Sequence, residues 1–156
     1  MKNTFLKLQL LCLFFLALIL VSCKGRNAFP SREIIDDINL KRGELISCGV
    51  PGNQFGSVDF ENTCGEKVKK DFSLGIELLH SFEYDEAEKV FAKIIDREPA
   101  CAMAYWGVAM SNFHLLWTPP SESELKKGAK AIEIAKSIAG KSKREEEYID
   151  AVSAFY

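Results

Sequence analysis

From Asn62 onward the chain alternates short polar starts with runs in which apolar residues recur every three or four positions. Four of these runs open alike, with a hydroxyl or carboxylate residue three before a glutamate: Thr63 and Glu66, Asp85 and Glu88, Ser121 and Glu124, Ser142 and Glu145. In such a box the first side chain accepts from an amide three residues on while the glutamate reaches back, so two orphan amides of a helix start are satisfied. Pro99 offers a fifth start, because its ring pre-sets the first helical turn. The pattern predicts helices near 64–81, 85–97, 100–113, 122–139 and 143–156, with Gly140 closing the fourth.

The N-terminal part has a different texture. Residues Leu10 to Val21 form an unbroken apolar run of twelve after Lys2 and Lys7. That is short of the roughly 20 residues a bilayer span needs and suits the core of an export signal. Lys24 to Arg32 has no apolar period and reads as a tether. "REIIDDINL" predicts two helical turns with Ile34, Ile35 and Ile38 on one side. Cys48 to Gly65 is rich in Gly, Pro and Asn and reads as turns, with a short extended piece at Ser57 to Phe60.

Two resemblances sharpen this outline. The end of the apolar run, Leu20-Val21-Ser22-Cys23, resembles the lipobox of bacterial lipoproteins. The resemblance implies cleavage of residues 1–22, lipidation of Cys23 and a membrane anchor through its acyl chains. By the same analogy Lys24, standing where Asp would retain the protein in the inner membrane, implies an outer-membrane location.

The second is internal. Shifted by 34 residues, Phe72 overlays Trp106, Leu74 Val108, Gly75 Ala109, Ile76 Met110, Leu79 Phe113, and His80 His114. This period resembles the tetratricopeptide repeat. Leu74-Gly75, Ala87, Phe91 and Pro99 match that family's pattern, while Asp71 and Leu78 stand where it has aromatic residues. Tyr105 restores one aromatic in the second unit, and an insertion of about ten residues near "LLWTPPSESE" lengthens its inter-helix loop. Phrases such as "PACAMAYWGVAM" and "REEEYIDAVSAFY" are also similar to a narrower group of exported repeat proteins of unassigned function, usually much longer. The implied architecture is all-α. A helical-hairpin solenoid of about two and a half repeats spans 63–156, with units at 63–99, 100–141 and 142–156, after a lipid-anchored irregular segment at 23–62. The chain then reads as the N-terminal part of a longer protein.

Charge and chemistry narrow the function classes. The full chain carries a formal charge of −2, and loss of the two signal lysines takes it to about −4. With no basic stripe, nucleic acid is not an expected partner. After export Cys48, Cys64 and Cys101 remain for pairing in an oxidising compartment. Cys64 and Cys101 begin successive first helices, so a bridge between them would tie two units together; Cys48 with Cys64 competes, and three free thiols is the third possibility. No phosphate loop, nucleophile elbow or paired carboxylates in an apolar setting is present, and no catalytic residue or cofactor is expected.

The family fold lines a concave groove with the first helices of its units. The resemblance places Lys69, Phe72, Ile76, Leu79 and His80, and then Met103, Trp106, Met110, Phe113 and His114, in that groove. So apolar a stripe is not left wet, since each such side chain gains roughly 1.5–3 kcal/mol on burial. The candidates to cover it are the protein itself, through the Cys48–Phe60 region, the insertion with Trp117 or a part downstream of Tyr156, an envelope protein or apolar peptide, or a small hydrophobic ligand. The expected function is protein binding or scaffolding in the cell envelope. The alternatives are a ligand- or metal-binding accessory protein using His80 and His114, and the non-catalytic beginning of a longer enzyme.

Overall fold

A computed structural model describes residues 29–46, 56–114, 116 and 118–156. The expected signal at 1–22, the lipidation site Cys23, and Cys48 and Trp117 lie outside the described residues. Within them the protein is all-α, with six α-helices packed in sequence order and one 3-10 turn. They are α1 (Arg32–Asp36), the 3-10 turn Glu66–Val68, α2 (Lys69–His80), α3 (Tyr84–Arg97), α4 (Ala102–Asn112), α5 (Glu122–Ser137) and α6 (Lys143–Ser153). Among the described residues no helix is long and apolar enough to cross a membrane.

Each helix packs on the next from α2 to α6, and α2 and α6 both also lie against α4. The middle of the molecule is therefore α4. Its sequence explains why: Ala, Met, Tyr, Trp, Gly and Val surround the axis, and ten of its eleven residues are buried. α3 is two-sided instead, burying Ala87, Val90, Phe91, Ile94 and Ile95 and exposing Lys93, Asp96 and Arg97.

Phe91 is the keystone of this packing. Its ring is fully buried and meets Phe72 edge-on, with centroids 5.7 Å apart. It fits because glycines face it from two helices. A Cβ on Gly75 of α2 would stand 2.7 Å from the ring, and one on Gly107 of α4 would stand 2.5 Å from it. Gly75 thus makes room for the Phe91 ring.

The two predicted serine boxes form as drawn. Ser121 and Ser142 each accept from the amide of Glu124 or Glu145, and each glutamate returns a bond to its serine's amide. The other three starts differ, two because a distant group claims the residue and the third because a local turn delays the helix. Thr63 gives both its amide and its hydroxyl to Glu145, 82 residues on, at 2.8 and 3.0 Å, and the 3-10 turn begins after Gly65. Asp85 lies inside a helix that already starts at Tyr84, where it binds Lys41, and Glu88 turns into the core. Pro99 sits in a turn closed by the Cys101 amide on the Glu98 carbonyl at 2.9 Å, so α4 starts only at Ala102.

α1 stops after five residues, and the chain reverses through Asn39 at φ 56°. Ile35, Ile38 and Leu40 are buried, whereas Ile34, expected on the same side, faces solvent because no second helical turn follows. The stretch after it is irregular yet bound to α3. The Lys41 amide donates to Glu88 at 2.8 Å, the Ile46 amide to Glu86 at 2.8 Å, and Arg42 clamps Asp96 through two bonds of 2.9 Å. That grip makes the Arg42 hydrogen bonds the chief reason why the Asp96 carboxyl lies below its ordinary pKa.

At the other end of α2 the chain turns through a Schellman pair. The Glu83 amide reaches the Leu78 carbonyl at 2.9 Å and the Phe82 amide the Leu79 carbonyl at 3.2 Å. Phe82 holds the left-handed position at φ 63°, usually a glycine's place.

Candidate functional site

The face shared by α2, α4 and α6 carries the expected groove residues, and the fold treats them in three ways. Phe72, Ile76, Met103 and Trp106 are buried. Leu79, Met110, Phe113 and His114 are half-buried, and Lys69 and His80 are exposed. The stripe is therefore largely closed over, by two separate covers.

The first cover is Phe60. The Gly56–Asn62 stretch runs without regular structure across the helix face, resting Val58 and Phe60 on the core and turning Asp59 and Glu61 outward. The Phe60 ring lies 5.6 Å from Phe72, stacks on Trp106 at 5.8 Å and meets Tyr148 of α6 at 5.3 Å. Tyr148 stands edge-on to Trp106 at 5.9 Å and completes a four-ring cluster. The Arg144 guanidinium lies over both outer rings, 5.2 Å from Phe60 and 5.6 Å from Tyr148.

Beneath this cover Trp106 is 6 % exposed, and its indole N–H has no acceptor among the described residues. A buried donor left unmade costs about 1–3 kcal/mol, and most native proteins avoid it.

Two long-range ties pin the covering segment. Thr63 is bound twice to Glu145, and Cys64 is joined by a disulfide to Cys101, with Cα atoms 4.9 Å apart. Of the three possibilities for Cys48, Cys64 and Cys101, the structure takes the Cys64–Cys101 bridge. The Gly65 amide adds a bond of 2.7 Å to Glu98.

The second cover is at the far end of α4. Phe113 stacks on Phe155 at 4.6 Å and meets Tyr156 at 5.7 Å. Tyr156 lies over Gly128 and donates from its hydroxyl to the Ala109 carbonyl at 2.6 Å. Burial of the phenol raises its pKa well above the ordinary tyrosine value.

The two histidines go separate ways. His114 Nε2 meets Glu124 Oε1 at 3.0 Å, and its ring lies 5.5 Å from that of Tyr84. His80 ends α2 exposed. Among the described residues no group of three or more His, Cys, Asp and Glu side chains is placed to hold a metal.

Two carboxyls here set an acid dependence. Burial pushes the Glu145 carboxyl up, but the bonds from Thr63 and Ser142 outweigh it and hold its pKa below the ordinary value. Glu124 is lowered to about 2, first by the Ser121 amide and hydroxyl and then by His114. A folded-state pKa below the unfolded one means stability that is complete above about 4.5 and is lost as pH falls through the folded value. Denaturant midpoints should therefore decline from about pH 4.5 toward pH 2. Glu145→Gln should be weaker at pH 7 and shallower in this acid limb. Parallel pH profiles for the two proteins would refute the assignment to Glu145.

Phe60 belongs to the Cys48–Phe60 region expected as one candidate cover, and "SVDF" alternates apolar and polar residues as a half-buried extended piece does. Three partners in this region were not legible as site residues: Tyr148, Arg144 and Glu145. Chemically, the assembly can hold an extended segment with an aromatic side chain over Trp106. Comparison with the models of known families, with curated proteins and with solved structures finds no match.

Proposed function

We propose that this chain is an exported, lipid-anchored module of the tetratricopeptide type, which binds a protein partner in the cell envelope through the α2/α4/α6 face. The observation that carries the reading is the packing of α4 against both α2 and α6, with the aromatic cluster around Trp106 on their shared face covered by the irregular Gly56–Asn62 stretch. The first helices of successive repeat units would lie side by side in this way. The 34-residue overlay, with two helices to each unit, supports the same architecture. Anchoring through Cys23 rests on the Leu20-Val21-Ser22-Cys23 sequence, and export is compatible with the Cys64–Cys101 disulfide. The module binds and positions; it does not catalyse.

Two measurements test this. Labelled palmitate should enter the protein in cells and be lost in Cys23→Ala; label retained by that variant would remove the anchor. A photo-crosslinking residue at position 148, on the rim of the face, should give a discrete adduct with one envelope protein. Purely internal crosslinks, in the parent chain and in Phe60→Ala alike, would sink the binding reading.

A further inference from the structure

We propose that residues 56–63 are a built-in occupant of the binding face, latched by the Cys64–Cys101 disulfide, and that the face takes extended acidic peptides with an apolar residue two before an aromatic one. This rests on the binding role given above and specifies both its ligand and its control. The chain displays the ligand chemistry itself. Val58 and Phe60 rest on the helices while Asp59 and Glu61 face outward, the alternation of an extended strand. Phe60 fills the space between Phe72, Trp106 and Tyr148, and Arg144 covers it from outside. A peptide of the same pattern finds the same aromatic slot and the same cation beside its acidic residues.

Two features mark the segment as a removable cover. The indole N–H of Trp106 is buried without an acceptor among the described residues, although the face would hold a strand, whose carbonyls are the natural acceptors. And the segment has no helix or strand pairing of its own; the hydrogen bonds Thr63 makes to Glu145 and the covalent tie at Cys64 hold its end. A tethered competitor works at an effective concentration of about millimolar, so a free peptide meets a face that is already occupied.

The latch opens by thiol–disulfide exchange. Cys64 is half-buried whereas Cys101 is 2 % exposed, so attack falls on Cys64. One thiolate of a dithiol reductant bonds to the Cys64 sulfur and Cys101 leaves as a thiolate. The reductant's second thiolate then displaces Cys64, closing its own disulfide. Two electrons have passed to the protein, and the two cysteines take up two protons. Segment 56–63 is then held by the packing of Val58 and Phe60, the Arg144 contact and the Thr63 bonds, without a covalent tie.

The test uses the full chain in detergent micelles and a fluorescein-labelled peptide, GSVDFENT, read by fluorescence anisotropy. The oxidised protein should bind it at least tenfold more weakly than the same protein reduced with dithiothreitol. Phe60→Ala, with its disulfide intact, should show the same gain without reductant. A peptide with serine in place of phenylalanine should bind neither form. Indole N–H exchange at Trp106, followed by NMR, should speed up at least tenfold on reduction. If Phe60→Ala gains affinity but reduction does not, the latch is wrong and the binding face stands. Loss of helical circular dichroism on reduction also overturns the latch, since the bridge would then be holding the fold. If no form binds the peptide, the ligand pattern is overturned; the crosslinking from position 148 decides the binding role separately.

Discussion

Glu88→Ala is expected to lower the unfolding free energy by about 3–5 kcal/mol, a large part of the roughly 5–15 kcal/mol that holds a domain together. Glu88 is 1 % exposed, and both its oxygens are committed. Oε1 accepts from the Lys127 ammonium and the Lys41 amide, each at 2.8 Å, and Oε2 accepts from the Asn112 amide nitrogen at 3.0 Å. One carboxylate thus joins α3 to α4, to α5 and to the N-terminal stretch. Removing it strands the Lys127 ammonium, whose side chain is only 12 % exposed, while Asn112 keeps its other bond to the Val108 carbonyl. The loss is therefore mostly an unpaired buried charge. For that reason Glu88→Leu combined with Lys127→Met should recover much of it. Urea unfolding of the three proteins is the measurement. A Glu88→Ala midpoint within about 1 kcal/mol of the parent would mean that water or a rotated lysine replaces the carboxylate.

Gly107→Ala is expected to destabilise by about 2 kcal/mol, against the direction of helix propensity. In an exposed helix interior the same change would gain about 1 kcal/mol. Here the added methyl would stand 2.5 Å from three atoms of the Phe91 ring. The ring has little room to shift, because Gly75 of α2 also packs against it with room for no Cβ of its own. Overpacking of this kind, typically about 1–3 kcal/mol beyond the propensity gain, decides the sign. Phe91→Leu should be milder in the Gly107→Ala background than in the parent, which a double-mutant cycle by thermal unfolding would read. Strict additivity of the two would refute the contact. Gly128→Ala makes a useful contrast. Its methyl would meet only the tip of the Tyr156 ring, the far end of a half-buried side chain that can swing away. That substitution gives up the tyrosine's docking and regains helix propensity, and should be near neutral.

These two positions show where reading the chain by pattern succeeds and where it runs short. Glu88 was legible as an anomaly: in α3 it shares a stripe with Ala87, Phe91 and Ile95, so a charge sits among apolar positions. The same residue also completes a formal capping box with Asp85, and that reading is local where the true role is not. Gly107 was invisible as a contact, since the 34-residue overlay pairs Gly75 with Ala109 instead. Which glycine faces Phe91 depends on how far α4 is rotated about its axis, a quantity no spacing in α4 alone contains.

What the sequence by itself determined is the all-α character and the starts of α5 and α6. Apolar periodicity needs only the chain's own spacing, and the Ser121 and Ser142 boxes close within three residues. The tertiary structure alone decided which cysteines pair, that Thr63 serves Glu145 across 82 residues, and that Phe60 covers Trp106. Each of these joins groups far apart in the chain. Local propensity carries no information about such a meeting, because it exists only once the helices have docked and excluded water between them.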